Sequence, residues 1–225
     1  MRLFIITLLL TVVTSIVQSG YGYPKATDRA HRWQLRLDTG DLRFYRDQDT
    51  GDGYWILIYE VTNETKEDHR WIPHFDLVTD KGEIIADGDD VPRNILLTIL
   101  DIFGDPLLKS QSDASGPLLQ GEENAIRGLA IWKAGHEDVR EIQIFAAGVS
   151  GDTAEVVHPL TGEKIKLHRV LQLSWFVNGG VDQINLDPLP KRSVKDGTSV
   201  RKVGTDPSGI GGSSGDNVTR KWIFR

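Results

Sequence analysis

At 225 residues with 39% apolar residues, the chain is long enough to bury a real core and points to one domain with appendages. It has no cysteine, which excludes a disulfide framework, thiol catalysis, iron–sulfur clusters and thiolate metal sites. The net charge of −6 is uneven, because residues 20–182 hold 28 acidic against 17 basic side chains and residues 183–225 hold 4 against 8. An acidic body repels nucleic acid and anionic membrane, so neither is an expected partner.

Residues 3–17 form an apolar run behind Arg2, and Val17 and Ser19 sit as a small-residue cleavage pair. The pattern is that of a secretory signal peptide at residues 1–19, too short to span a bilayer, and it implies export to the periplasm or the extracellular space. A polar leader occupies residues 20–30. From residue 31 the alternation of Trp33, Leu35 and Leu37 with Arg32, Gln34 and Arg36 predicts a half-exposed strand to residue 38. Residues 42–46 predict a second strand. Residues 54–62 are almost wholly β-branched and aromatic and predict the central strand. Trp55, Leu57, Tyr59 and Val61 would share one face and Tyr54, Ile56 and Ile58 the other, so both faces should be covered.

Residues 71–79 follow as a strand in which Pro73 argues for an edge or a bulge, and residues 80–83 predict a hairpin turn into 84–86. One helix is expected next. Asp90 is its cap, Pro92 lies in its first turn, Ile95, Leu96, Ile99, Leu100 and Phe103 form its apolar stripe, and Gly104 ends it, as a lid over an open end of the sheet. Residues 106–117 read as irregular. Strand patterns resume at 126–133, 139–147, 155–158 and 164–177. The sum is an all-β, antiparallel sandwich over residues 31–182 with one short helix.

Residues 183–218 are rich in Pro, Gly, Ser and Lys and read as a flexible linker. The chain then ends in a possible docking segment at residues 219–225, where alternation puts Trp222 and Phe224 on one side of an extended strand. These two are the candidate partner-binding residues, expected to add to a sandwich edge of this chain or of a neighbouring molecule.

Several stretches together resemble a known group. The Gly121-Glu122 turn followed by the small-residue strand to Trp132 resembles bacterial immunoglobulin-like domains of accessory exported proteins. With residues 42–45, Tyr54-Trp55, residues 61–63 and residues 75–80, the chain from about residue 31 onward looks like a family of uncharacterised exported bacterial proteins with an immunoglobulin-like β-sandwich. The resemblance implies export and fold and carries no catalytic residue. Where that family has Pro before the Gly-Glu turn, this chain has Gln120.

No chemical motif rises above this background. Asp47, Asp49 and Asp52 suggest a calcium loop, but a helix–loop–helix site needs ligands at its fifth and twelfth positions, which here are Gly51 and Ile58. Asp87, Asp89 and Asp90 form a second acidic stretch. His69, His74, His136, His158 and His168 have no paired spacing, although His74 and Asp76 share a strand face. There is no Gly-x-Ser-x-Gly elbow, phosphate loop or dinucleotide fingerprint. The expectation is therefore a non-enzyme without cofactor or metal that binds an envelope or extracellular protein. A carbohydrate-binding module, with Trp71 as its test residue, is the alternative suggested by six tryptophans, and a hydrolase acting on extracellular polymer is third.

Overall fold

The computed structural model describes residues 23–177 and 218–225; the predicted signal at residues 1–19 and all but residue 218 of the predicted linker at residues 183–218 lie outside them. In chain order the elements are β1 (Arg36–Thr39), β2 (Arg43–Arg46), β3 (Gly53–Asn63), β4 (His69–Trp71), β5 (His74–Thr79), β6 (Ile84–Ala86), α1 (Arg93–Phe103), β7 (Leu108–Lys109), α2 (Gln111–Ala114), β8 (Gly116–Leu118), β9 (Gly121–Lys133), β10 (Glu141–Ala147), β11 (Thr153–Val157), β12 (Lys164–Phe176) and β13 (Val218–Phe224). The fold is mostly β. One sheet runs β1-β3-β9-β7 with β2 also on β3; a second is built from β11, β12, β10, β5, β6 and β13; β4 and β8 form a small third. Among the described residues the strand pairings are antiparallel except that of β7 with β9, and the isolated bridge between Asn63 and Gln120 is also parallel. Among the described residues no helix is long and apolar enough to cross a membrane.

The central strand is β3, as its composition predicts. Trp55, Leu57, Tyr59 and Val61 are buried in the main core with Phe75, Leu77, Ile142, Ile144, Leu171 and Leu173 of the second sheet. The two larger sheets therefore share one apolar layer, each contributing the inward half of a period-two pattern. Tyr54 and Ile56 on the other face pack with Leu129 and Ile131 of β9 against Ile95 and Ile99 of α1. The helix covers the outer face of the first sheet, not an open end, because that face is too apolar to be left in water. Opposite Tyr59 stands Gly128, where any Cβ would fall into the phenol ring, so the close packing of this pair requires glycine.

Three local expectations are corrected. The strand predicted at residues 71–79 is divided at Ile72 and Pro73, with β4 pairing β8 and β5 pairing β10. A proline without an N–H cannot carry one ladder through that point. Asp90 is not the helix cap: it adopts a left-handed φ of 54°, and the N-cap is Pro92 with no side-chain bond, although Gly104 ends the helix in the left-handed conformation as expected. The stretch at residues 106–117 is not irregular, since it holds β7, α2 and the start of β8; Ser110 caps α2 by accepting from the Asp113 amide.

One long edge of the molecule is closed by Asp87. Its amide donates to the Phe75 carbonyl at 2.9 Å, its Oδ1 accepts from the Ile131 amide at 2.8 Å, and Gly88 donates to the Ile131 carbonyl at 2.9 Å. A side chain thus completes the free edge of β9 and ties it to β5. Burial pushes the Asp87 carboxyl up to about 7, with the Ile131 amide opposing the shift and Asp89 adding to it.

Candidate strand-docking site

The longest strand of the second sheet, β12, organises the site. Residues 171–176 pair with β10 and residues 164–168 with β11, the two being halves of one edge interrupted at Gly148 to Asp152. Alternation of the backbone groups sends the His168 amide the other way, to the Arg225 carbonyl at 2.8 Å, and Arg225 returns the bond at 2.9 Å. On that second edge β13 pairs from Trp175↔Val218 to Arg169↔Phe224. The C-terminal segment is a strand of the body, beginning at Val218, one residue before the predicted boundary.

Register follows from the same alternation. Trp222 lies opposite Leu171 and Phe224 opposite Arg169, both on the core-facing side. Phe224 is buried, and Trp222 packs against the main core while half-exposed. In this chain the two candidate partner-binding residues are thus occupied by the chain's own sheet. The Tyr23 hydroxyl donates to the Phe224 carbonyl. Arg220 reaches across to β1, donating to the Leu37 carbonyl at 3.1 Å and to Thr39 Oγ1 at 3.0 Å, so β13 closes the long edge opposite Asp87. Arg225 pairs with Asp76 at 3.1 Å and lies over the Phe145 ring.

Beneath Trp222 lies the residue that sequence reasoning missed. Arg169 is 1% exposed, and its Cζ sits 3.7 Å from the centre of the Trp222 ring. One guanidinium nitrogen donates to Gln34 Oε1 at 2.8 Å and Ser150 Oγ at 3.2 Å; the other donates to the carbonyls of Thr27 at 2.8 Å and Asp28 at 3.0 Å. A planar five-donor fork can satisfy four acceptors and stack on an indole at once. Arg169 therefore binds the N-terminal leader on one side and carries the C-terminal strand on the other. Desolvation lowers its pKa, opposed by Asp152 and Asp28, and an arginine so placed stays cationic. Burial pushes the Asp152 carboxyl up, but the amides of His31 and Arg32, each at 2.8 Å, and the Arg169 charge hold it below the ordinary range.

Replacing Arg169 by lysine keeps the charge but not the fork. A single ammonium reaches fewer of these acceptors and stacks less well, so about 2–3 kcal/mol of stability should be lost, read as a lower urea midpoint. A midpoint equal to the parent's would show that the leader and β13 do not depend on this side chain.

The other sequence candidates stay apart. Asp47 is engaged within its own turn by the Thr50 amide and hydroxyl, and Asp52 pairs with Lys133 at 2.9 Å. His74 lies 3.3 Å from Asp76, His136 contacts Glu83, His69 stacks on Trp33, and His158 accepts from the amides of Leu160 and Thr161. Among the described residues, no group of three or more His, Asp or Glu is placed to hold a metal. Trp55, Trp71, Trp132 and Trp175 are buried, and Trp33 and Trp222 are half-buried against the core. The chain matches no protein-family model, no curated protein and no solved structure.

Proposed function

We propose that the chain is an exported, non-catalytic protein of immunoglobulin-like β-sandwich type, related to the uncharacterised exported bacterial family it resembles, that works by binding or assembling with envelope or extracellular proteins. The observation that carries this reading is the reception of a terminal segment on β12, seven residues in continuous antiparallel register with its alternate side chains turned inward. Edge addition of an extended segment is a general mode of protein recognition: the backbone bonds supply affinity and the inward side chains supply selectivity. Among the described residues no strand pairs with the outer edge of β13, and Thr219 and Lys221 of that strand are exposed. The burial of the tryptophans favours a protein partner over a sugar, since stacking on a glycan needs an open aromatic face.

A photo-reactive residue in place of Lys221, introduced into the full chain in the exporting cell, tests the reading. The expected result is export with cleavage after Ser19 and cross-linking to a discrete envelope protein, with none from the same probe at Lys66. Saturable binding to a polysaccharide, together with no cross-link from the Lys221 position, would overturn it in favour of the carbohydrate-binding alternative.

A further inference from the structure

We infer that β13 is an exchangeable strand and that a second copy of this chain is a partner of the β12 edge, the two copies trading their C-terminal segments. The inference deepens the assembly reading and rests on it. It begins from the connection. Trp175 and Val218 are paired neighbours, so β12 and β13 are two arms of an antiparallel hairpin, a geometry that two to five residues ordinarily close. Here 41 residues, 177 to 217, intervene. A tight turn would confine β13 to its own sheet, whereas a stretch of this length spans on the order of 130 Å when extended and reaches a neighbouring molecule.

The occupant follows from complementarity. The segment shown to fit this edge is the chain's own: Trp222 seats on Arg169, Arg220 reaches Leu37 and Thr39, and Arg225 pairs with Asp76. Every one of these contacts is reproduced when the strand comes from another copy, because only the connection differs between the closed and exchanged forms. Charge acts in the same direction, since the strand carries Arg220, Lys221 and Arg225 and residues 20–182 are acidic. In dilute solution the tethered strand wins, because the tether holds it near its site at an effective concentration on the order of 1 mM. Exchange takes over where copies are crowded to that level.

The absence of native cysteine makes the test clean. Gln172 and Lys221 are register partners on the outer face, at a spacing a disulfide can bridge. The full-length variants Gln172→Cys and Lys221→Cys, mixed and air-oxidised, give a disulfide-linked heterodimer above the collisional background where the tail of one copy lies on β12 of the other. The expected result is heterodimer yield rising with concentration toward ~1 mM and exceeding that of a Gln143→Cys and Lys221→Cys pair, whose sites lie one strand farther apart. The double variant should close an internal disulfide, which verifies the register independently of exchange. An internal disulfide in the double variant, with mixed single variants no better than the control pair, would overturn the proposal while leaving any cross-link from the Lys221 position to an envelope protein standing.

Discussion

Replacing Trp55 by alanine is expected to cost about 3–5 kcal/mol, a large part of the stability of a domain this size. Trp55 is 0% exposed at the centre of β3, paired with Trp132 of β9 and edge-on to Phe44 of β2 at 4.8 Å between ring centres. Its removal leaves a cavity beside β3, whose backbone is fixed by ladders to β2 and β9 on its two edges, so little relaxation can fill it. The midpoint of urea unfolding measures the effect. A variant that unfolds with the parent would mean that β3 does not lie at the centre of the core.

Asp87→Asn is expected to stabilise the protein at pH 8 by up to about 4 kcal/mol, because the folded state holds a carboxyl near pH 7 that titrates about three units lower when unfolded. Between pH ~4 and ~7 the folded state binds the extra proton, so parent stability falls as pH rises and the full penalty is present above pH 7. Asparagine keeps an oxygen for the Ile131 amide and carries no charge to desolvate. The two proteins should therefore be close in stability near pH 4 and diverge upward. Unfolding curves at pH 4.5 and pH 8 measure the difference; parallel pH profiles for parent and variant would contradict the assignment of Asp87 as a buried titrating bridge.

Much of the β architecture is legible in the sequence because period-two alternation is a local signal. Residues 54–62 announce two covered faces, and the stripe of Ile95 and Ile99 announces something to cover one of them, although not which. The alternation of Trp222 and Phe224 is equally local, but which edge they occupy is not, since nothing in the sequence singles out β12 as their partner. What was not legible depends on distance along the chain. Arg169 stands at a core-facing position of β12 in step with Leu171, Leu173 and Trp175, a parity that could have marked it. Its partners Thr27 and Asp28 are more than 140 positions away, so nothing nearby shows that its charge is satisfied. The Asp87 bridge fails to announce itself for the same reason: in sequence it is one aspartate among several before a helix, and its acceptor role depends on Ile131. Asp90 and Pro73 show the converse, where a correct local rule was placed at the wrong element boundary.

The central claim is that the C-terminal segment is a strand of the body seated on β12. Because His168 and Arg225 exchange both backbone bonds, the next pairs inward alternate, and Leu171 faces Trp222 as a non-hydrogen-bonded pair with Cα atoms about 4.5 Å apart. The most direct measurement is the Hα–Hα nuclear Overhauser contact between Leu171 and Trp222 in the protein. The account predicts a strong contact, with the amide of Trp222's neighbour Ile223 protected from exchange. Absence of that contact with unprotected amides through residues 218–224 would contradict it.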